Sequence, residues 1–111
     1  MDMNLVDEYI SIHKGEDVEY RYIYRLIKKD FRGITAYGIE IERKDYVGLA
    51  NVNLERDRIE VISTHIHKVK QLLVKLYTNQ VSPYHLVDLV GSYVDEYAYE
   101  FDSEMEEKVV N

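Results

Sequence analysis

The chain has 111 residues, 46% hydrophobic and 32% charged, with no cysteine and a formal net charge of −7. One domain of this length can bury a real core, while the lack of cysteine excludes a disulfide framework, a thiolate metal site and a thiol nucleophile. The acidic balance disfavours nucleic acid as a partner, and no apolar run approaches the roughly 20 residues that span a bilayer.

The N-terminus lacks the basic start and apolar run of a secretory signal, so a cytoplasmic location is expected. Residues 4–13 read as a short strand or a frayed helical turn, and Lys14-Gly15-Glu16-Asp17 as a turn. From Val18 the apolar period is 2, which predicts a strand to about Ile27 with Val18, Tyr20, Tyr22, Tyr24 and Leu26 on one face. Lys28 to Gly33 is a connection, and Ile34 to Glu42 a second strand. Arg43-Lys44-Asp45 is expected to turn the chain into a third strand, Tyr46 to Leu54. Glu55-Arg56-Asp57-Arg58 is a polar turn before a fourth, Ile59 to Ile62.

At Ser63-Thr64 the period changes to 3.6, and either residue can cap a helix. Its stripe is Ile66, Val69, Leu72, Leu73, Leu76 and Tyr77. Ser82-Pro83 opens a second helix, where proline's missing donor costs nothing. Leu86, Leu89, Val90, Tyr93, Val94 and Tyr97 form its stripe. With the turn at Val81-Ser82, Ile66 meets Tyr97 and Leu73 meets Val90, while Lys68 lies opposite Asp95 and Lys75 opposite Asp88. Strands followed by helices predict an α+β fold: an antiparallel sheet of three to four strands, followed by a two-helix hairpin packed on one face. Residues 1–101 are expected to form the single domain, and 102–111 an acidic, disordered tail.

Few residues carry a chemical signature. Tyr20, Tyr22 and Tyr24 interleave with Arg21 and Arg25, as in platforms that stack single-stranded bases, but period 2 sends Arg21 and Arg25 to the opposite face from the rings. His65 and His67 diverge by about 200° on a helix, which spoils chelation, so no metal and no cofactor is expected. Glu40 and Glu42 stand about 7 Å apart on one strand face, a spacing usable in acid–base chemistry. Cross-strand ion pairs with Arg21 and Arg25 are the simpler reading. No catalytic motif is found, and a non-enzymatic protein is expected.

The excess charge is concentrated. Residues 88–107 hold eight acids and no base, Glu106 and Glu107 among them. Glu96, Tyr99, Glu100 and Asp102 are therefore the candidate partner-binding residues: an outward ring among acids suits a basic protein partner. The alternative is a small-ligand-binding protein or enzyme with a pocket between sheet and helices, using Tyr22, Tyr24 and Glu40. A homodimer through a strand edge near Gly48-Leu49-Ala50, or through exposed tyrosines, is compatible with the pattern.

Two stretches, Tyr37-Gly38-Ile39-Glu40-Ile41 and Asn79-Gln80-Val81-Ser82-Pro83-Tyr84-His85-Leu86, resemble a family of short, uncharacterised proteins from spore-forming clostridia. The resemblance spans about residues 18–100 and implies a cytoplasmic role in such a bacterium, linked to development or sporulation. It carries no activity and no site residues.

Overall fold

A computed structural model describes residues 3–110, with side chains described through Met105. Four strands come first: β1 (Met3–Lys14), β2 (Glu19–Phe31), β3 (Ile34–Val47) and β4 (Ala50–Ser63). They form one antiparallel sheet in the order β1-β2-β3-β4, each strand beside its sequence neighbour. Helix α1 (Ile66–Thr78) follows, then a 3₁₀ turn at Pro83–His85 and helix α2 (Leu86–Val110). The α+β class and the four antiparallel strands are as the sequence predicts.

The strand boundaries differ, because the turns are shorter than charge density suggested. Arg32 (φ 54°) and Gly33 (φ 80°) alone turn β2 into β3. Two consecutive positive φ values match the twist of antiparallel strands in a two-residue hairpin. Gly48 (φ 60°) and Leu49 turn β3 into β4. The expected third strand, Tyr46 to Leu54, is thus a hairpin tip, and Gly48-Leu49-Ala50 is not a sheet edge. Arg43-Lys44-Asp45 and Glu55-Arg56-Asp57-Arg58, read as turns, lie inside β3 and β4. Residues 4–13 belong to β1, which resolves the choice between strand and helical turn.

One face of the sheet carries the core. Tyr24, Leu26, Ile39, Ile41 and Ile62 pack with Val69, Leu72, Leu73 and Leu76 of α1 and with Leu86 and Val90 of α2. The expected stripe of α1 is the buried one, with Ile66 and Tyr77 partly covered. On α2, Leu89 departs from its expected place in the stripe and is 50% exposed. Both helices pack chiefly on the sheet rather than on each other, and α2 runs along β4, so the tight antiparallel helix pair is not what forms. Lys68 accordingly bonds Glu100 instead of Asp95, and the Lys75 ammonium lies 6.0 Å from the Tyr93 ring centroid rather than beside Asp88.

A second, smaller cluster joins Ile34, Ala36 and Phe101, with Phe31, Val61 and Met105 against it. Phe31 and Phe101 meet edge to face, their centroids 5.5 Å apart, a favoured aromatic geometry. This contact holds α2 past the point where its helix was expected to end. The helix includes positions 102–110, beyond the Asp102 boundary drawn for a disordered tail. The side chains of Glu106 and Glu107, and residue 111, lie outside the described residues.

Candidate functional site

The chemistry of α2 is divided between two faces. On the inner side, Glu100 is 4% exposed. Its Oε1 accepts from Ser63 Oγ at 2.6 Å, Thr64 N–H at 2.9 Å and Thr64 Oγ1 at 3.2 Å. Its Oε2 accepts from Lys68 Nζ. Ser63 Oγ in turn accepts from His65 N–H at 3.0 Å. Helix α1 has no acid in its first turn and no side-chain cap of its own at His65. A carboxylate at its positive end supplies the missing negative charge from α2.

Burial alone would raise the Glu100 carboxyl, but the bonds from Lys68, Ser63 and Thr64 outweigh it and hold it below its ordinary value. The same bond raises Lys68 above the usual lysine value. Glu100, expected among the outward partner-binding residues, is therefore committed inside the molecule. The physical reason is that α2 continues past Tyr99, and its stripe Val94, Tyr97, Phe101, Met105 places Glu100 beside the inner face.

The outer side of the same helix is different. Glu96 and Asp102 are exposed, and Tyr99 is 59% exposed. Asp95, expected to pair with Lys68, is exposed as well. At spacings of four and three, Asp95, Tyr99 and Asp102 share one stripe, with Glu96 at its flank. Glu96, Tyr99 and Asp102 are thus all exposed on α2, Glu100 is turned inward, and Asp95 shares the stripe of Tyr99.

The alternative trio does not converge. Tyr24 is wholly buried on the helix face, its hydroxyl donating to the Val81 carbonyl at 2.9 Å. Burial pushes that hydroxyl well above an ordinary phenol. Tyr22 stacks on Tyr24 with centroids 6.3 Å apart, on the same side. Glu40 lies on the opposite face, 2.7 Å from Arg25. Arg43 of β3 stands over the rings of Tyr20 and Tyr22 at 5.0 and 5.6 Å, so an arginine does share the ring face, held there by Asp45 at 2.9 Å. A groove of about 240 Å³ lies elsewhere, between α2 and the β2–β3 hairpin, lined by Phe31, Val61, Phe101 and Met105 with Arg32 and Asp102.

The open face of the sheet is an ion-pair surface. Glu8, Arg25, Glu40 and Arg58 stand in register across all four strands. Arg25 reaches Glu8 at 3.0 Å and Glu40 at 2.7 Å, and Arg58 lies 3.7 Å from Glu40. Glu42, 2% exposed, pairs with Arg56 at 2.6 Å and Arg25 at 3.2 Å. The carboxylates are occupied by arginine on both sides, which is the cross-strand pairing expected for Arg25.

Fold and site together define a small α+β protein whose last helix buries Glu100 and Phe101 on one side and exposes Asp95, Glu96, Tyr99 and Asp102 on the other. A family model described as a family of unknown function (DUF6514) matches residues 3–96, and the chain belongs to that family. The match takes in the whole sheet, α1 and the first part of α2. No curated protein and no solved structure matches the chain. Among the described residues, no helix is long and apolar enough to cross a membrane.

Proposed function

We propose that this chain is a non-enzymatic adaptor or regulator that docks a basic protein segment on the outer face of α2. The observation that carries the reading is Tyr99, 59% exposed on one stripe with Asp95 and Asp102 and flanked by Glu96, its ring 5.9 Å from the Lys68 ammonium at the rim of the Glu100 clamp. An exposed aromatic ring gives a partner an apolar anchor, and the surrounding carboxylates select lysine or arginine around it. In keeping with the clostridial resemblance, we place this role in the cytoplasm of a spore-forming bacterium.

The test uses point variants of the full chain, since ending it at Ala98 would remove the Glu100 clamp and the Phe101 contact. Affinity capture from host-cell extract is compared for the native chain, Tyr99→Ala and Glu96→Lys, and the captured protein is then purified and titrated directly. The reading expects a partner with a basic binding segment, weakened at least about tenfold by either substitution and by raised salt. Binding that both variants retain in full would overturn it.

A further inference from the structure

The two edges of the sheet are not alike. The β4 edge carries the charged run Glu55-Arg56-Asp57-Arg58, α2 packs along that strand, and its uncharged start, where Val52 and Leu54 are exposed, is broken by a bulge at Val52. Such charges and covers are the usual devices that stop a strand from pairing further. At the opposite edge, among the described residues, no strand pairs with the outer side of β1. Its centre, Tyr9-Ile10-Ser11-Ile12, has no charge, and Ile10 and Ile12 are 53% and 52% exposed.

β1 has one irregularity, between Leu5 and Asp7, and pairs with β2 in unbroken register from Asp7 to Lys14. This regular segment is self-complementary about Ser11. In an antiparallel pair with a second copy centred there, Ser11 faces Ser11 and each Ile10 faces an Ile12. Each Tyr9 faces a His13, and each Glu8 faces a Lys14. Opposed residues lie on the same face in this register, so apolar meets apolar on the open face, where Ile23 already stands beside Ile10. Moving the centre to Ile10 sets Glu8 against Ile12, and moving it to Ile12 sets Ile10 against Lys14. Only the centre at Ser11 gives both the charge pairs and the isoleucine pairs.

We infer that β1 is a homodimer interface, pairing antiparallel with β1 of a second copy about a two-fold axis at Ser11 to give one eight-stranded sheet. The closed two-fold arrangement uses both β1 edges and leaves no further edge of that kind to propagate. It stands independently of the α2 docking surface, which lies at the far edge of the sheet.

The chain has no cysteine, so single thiols report the register without background. Full-length Ser11→Cys, Ile10→Cys and Ile12→Cys are incubated with oxidised glutathione, which takes up the two electrons and protons released per disulfide. Opposed residues bring their Cα atoms to about 5 Å, within disulfide reach, whereas residues offset by two lie beyond about 7 Å. The expected result is a covalent Ser11→Cys dimer and an Ile10→Cys/Ile12→Cys heterodimer when those two are mixed. Each isoleucine variant alone should cross-link at least about tenfold more slowly. Sedimentation of the native chain should give twice the monomer mass, and Ile10→Lys should return it to monomer with its circular dichroism unchanged. A native chain that sediments as a monomer at its highest soluble concentration overturns the inference. So does faster cross-linking of Ile10→Cys with itself, or a native series of masses beyond the dimer, which would mean head-to-tail pairing of β1 with β4.

Discussion

Gly38 shows how a single residue can be fixed by its neighbour's backbone. A Cβ at this position would fall 2.1 Å from the Ile59 carbonyl oxygen and 2.5 Å from that of Glu60. The β3–β4 register is irregular between Tyr37 and Ile39, and there the β4 backbone passes over the glycine. Backbone cannot swing aside as a flexible side chain does, so Gly38→Ala should cost about 3 kcal/mol or more, read from chemical denaturation. A loss below about 1 kcal/mol would mean that β4 can move off the glycine without cost. The sequence displayed this glycine inside a strand, and an isolated strand glycine signals close backbone approach. What it did not display was which strand approached. The same holds for Glu100, whose partners Ser63, Thr64 and Lys68 lie more than 30 residues away in sequence.

Among the elements, the apolar patterns were the legible part and the charged stretches the misleading one. The α1 stripe was readable because 3.6-residue spacing has one physical meaning once a core is present. Arg43-Lys44-Asp45 and Glu55-Arg56-Asp57-Arg58 were misread as turns because isolated charge clusters favour solvent. In β3 and β4 they meet where Arg43 is the register partner of Glu55, and Arg56 and Arg58 face Glu42 and Glu40. Charge is compatible with a strand interior when the next strand supplies its complement. The helix pairing failed for a related reason: complementary stripes on two helices were both satisfied by the sheet.

The junction of β4, α1 and α2 gives this level its prediction. Glu100 is held below its ordinary value of 4.5 in the folded chain, so its contribution is complete above that pH and is lost as pH falls through the depressed folded value. In acid titrations of unfolding free energy, Glu100→Gln should be less stable than the native chain at neutral pH. It should also lose less on acidification below about pH 4.5. Equal acid slopes for the two chains would show that this carboxylate is not a linked group. Glu42 and Asp45, also depressed by their arginine partners against the opposing effect of burial, keep their own acid sensitivity in both proteins.

For the whole molecule, the arrangement of functions follows from where the sheet is closed. Four strands bury one face under two helices, ion pairs occupy the centre of the other, α2 runs along part of the β4 edge, and β1 is left to meet a second copy. A dimer about Ser11 would carry the two α2 outer faces at its far ends, so one assembly would offer two acidic docking surfaces. Linked surfaces of this kind gain affinity for a partner that can reach both. The docking reading depends on Glu100 carrying the fold on one side of α2 while Tyr99, at the rim beside Lys68, adds little to it. Thermal unfolding of Glu100→Ala and Tyr99→Ala beside the native chain tests that division directly. Breaking the Glu100 clamp leaves the Ser63 and Thr64 donors without their acceptor, which should cost about 2 kcal/mol and lower Tm by roughly 10 °C. Tyr99→Ala should stay within about 3 °C of the native chain. A Tyr99→Ala loss as large as that of Glu100→Ala would make Tyr99 part of the fold and contradict the account.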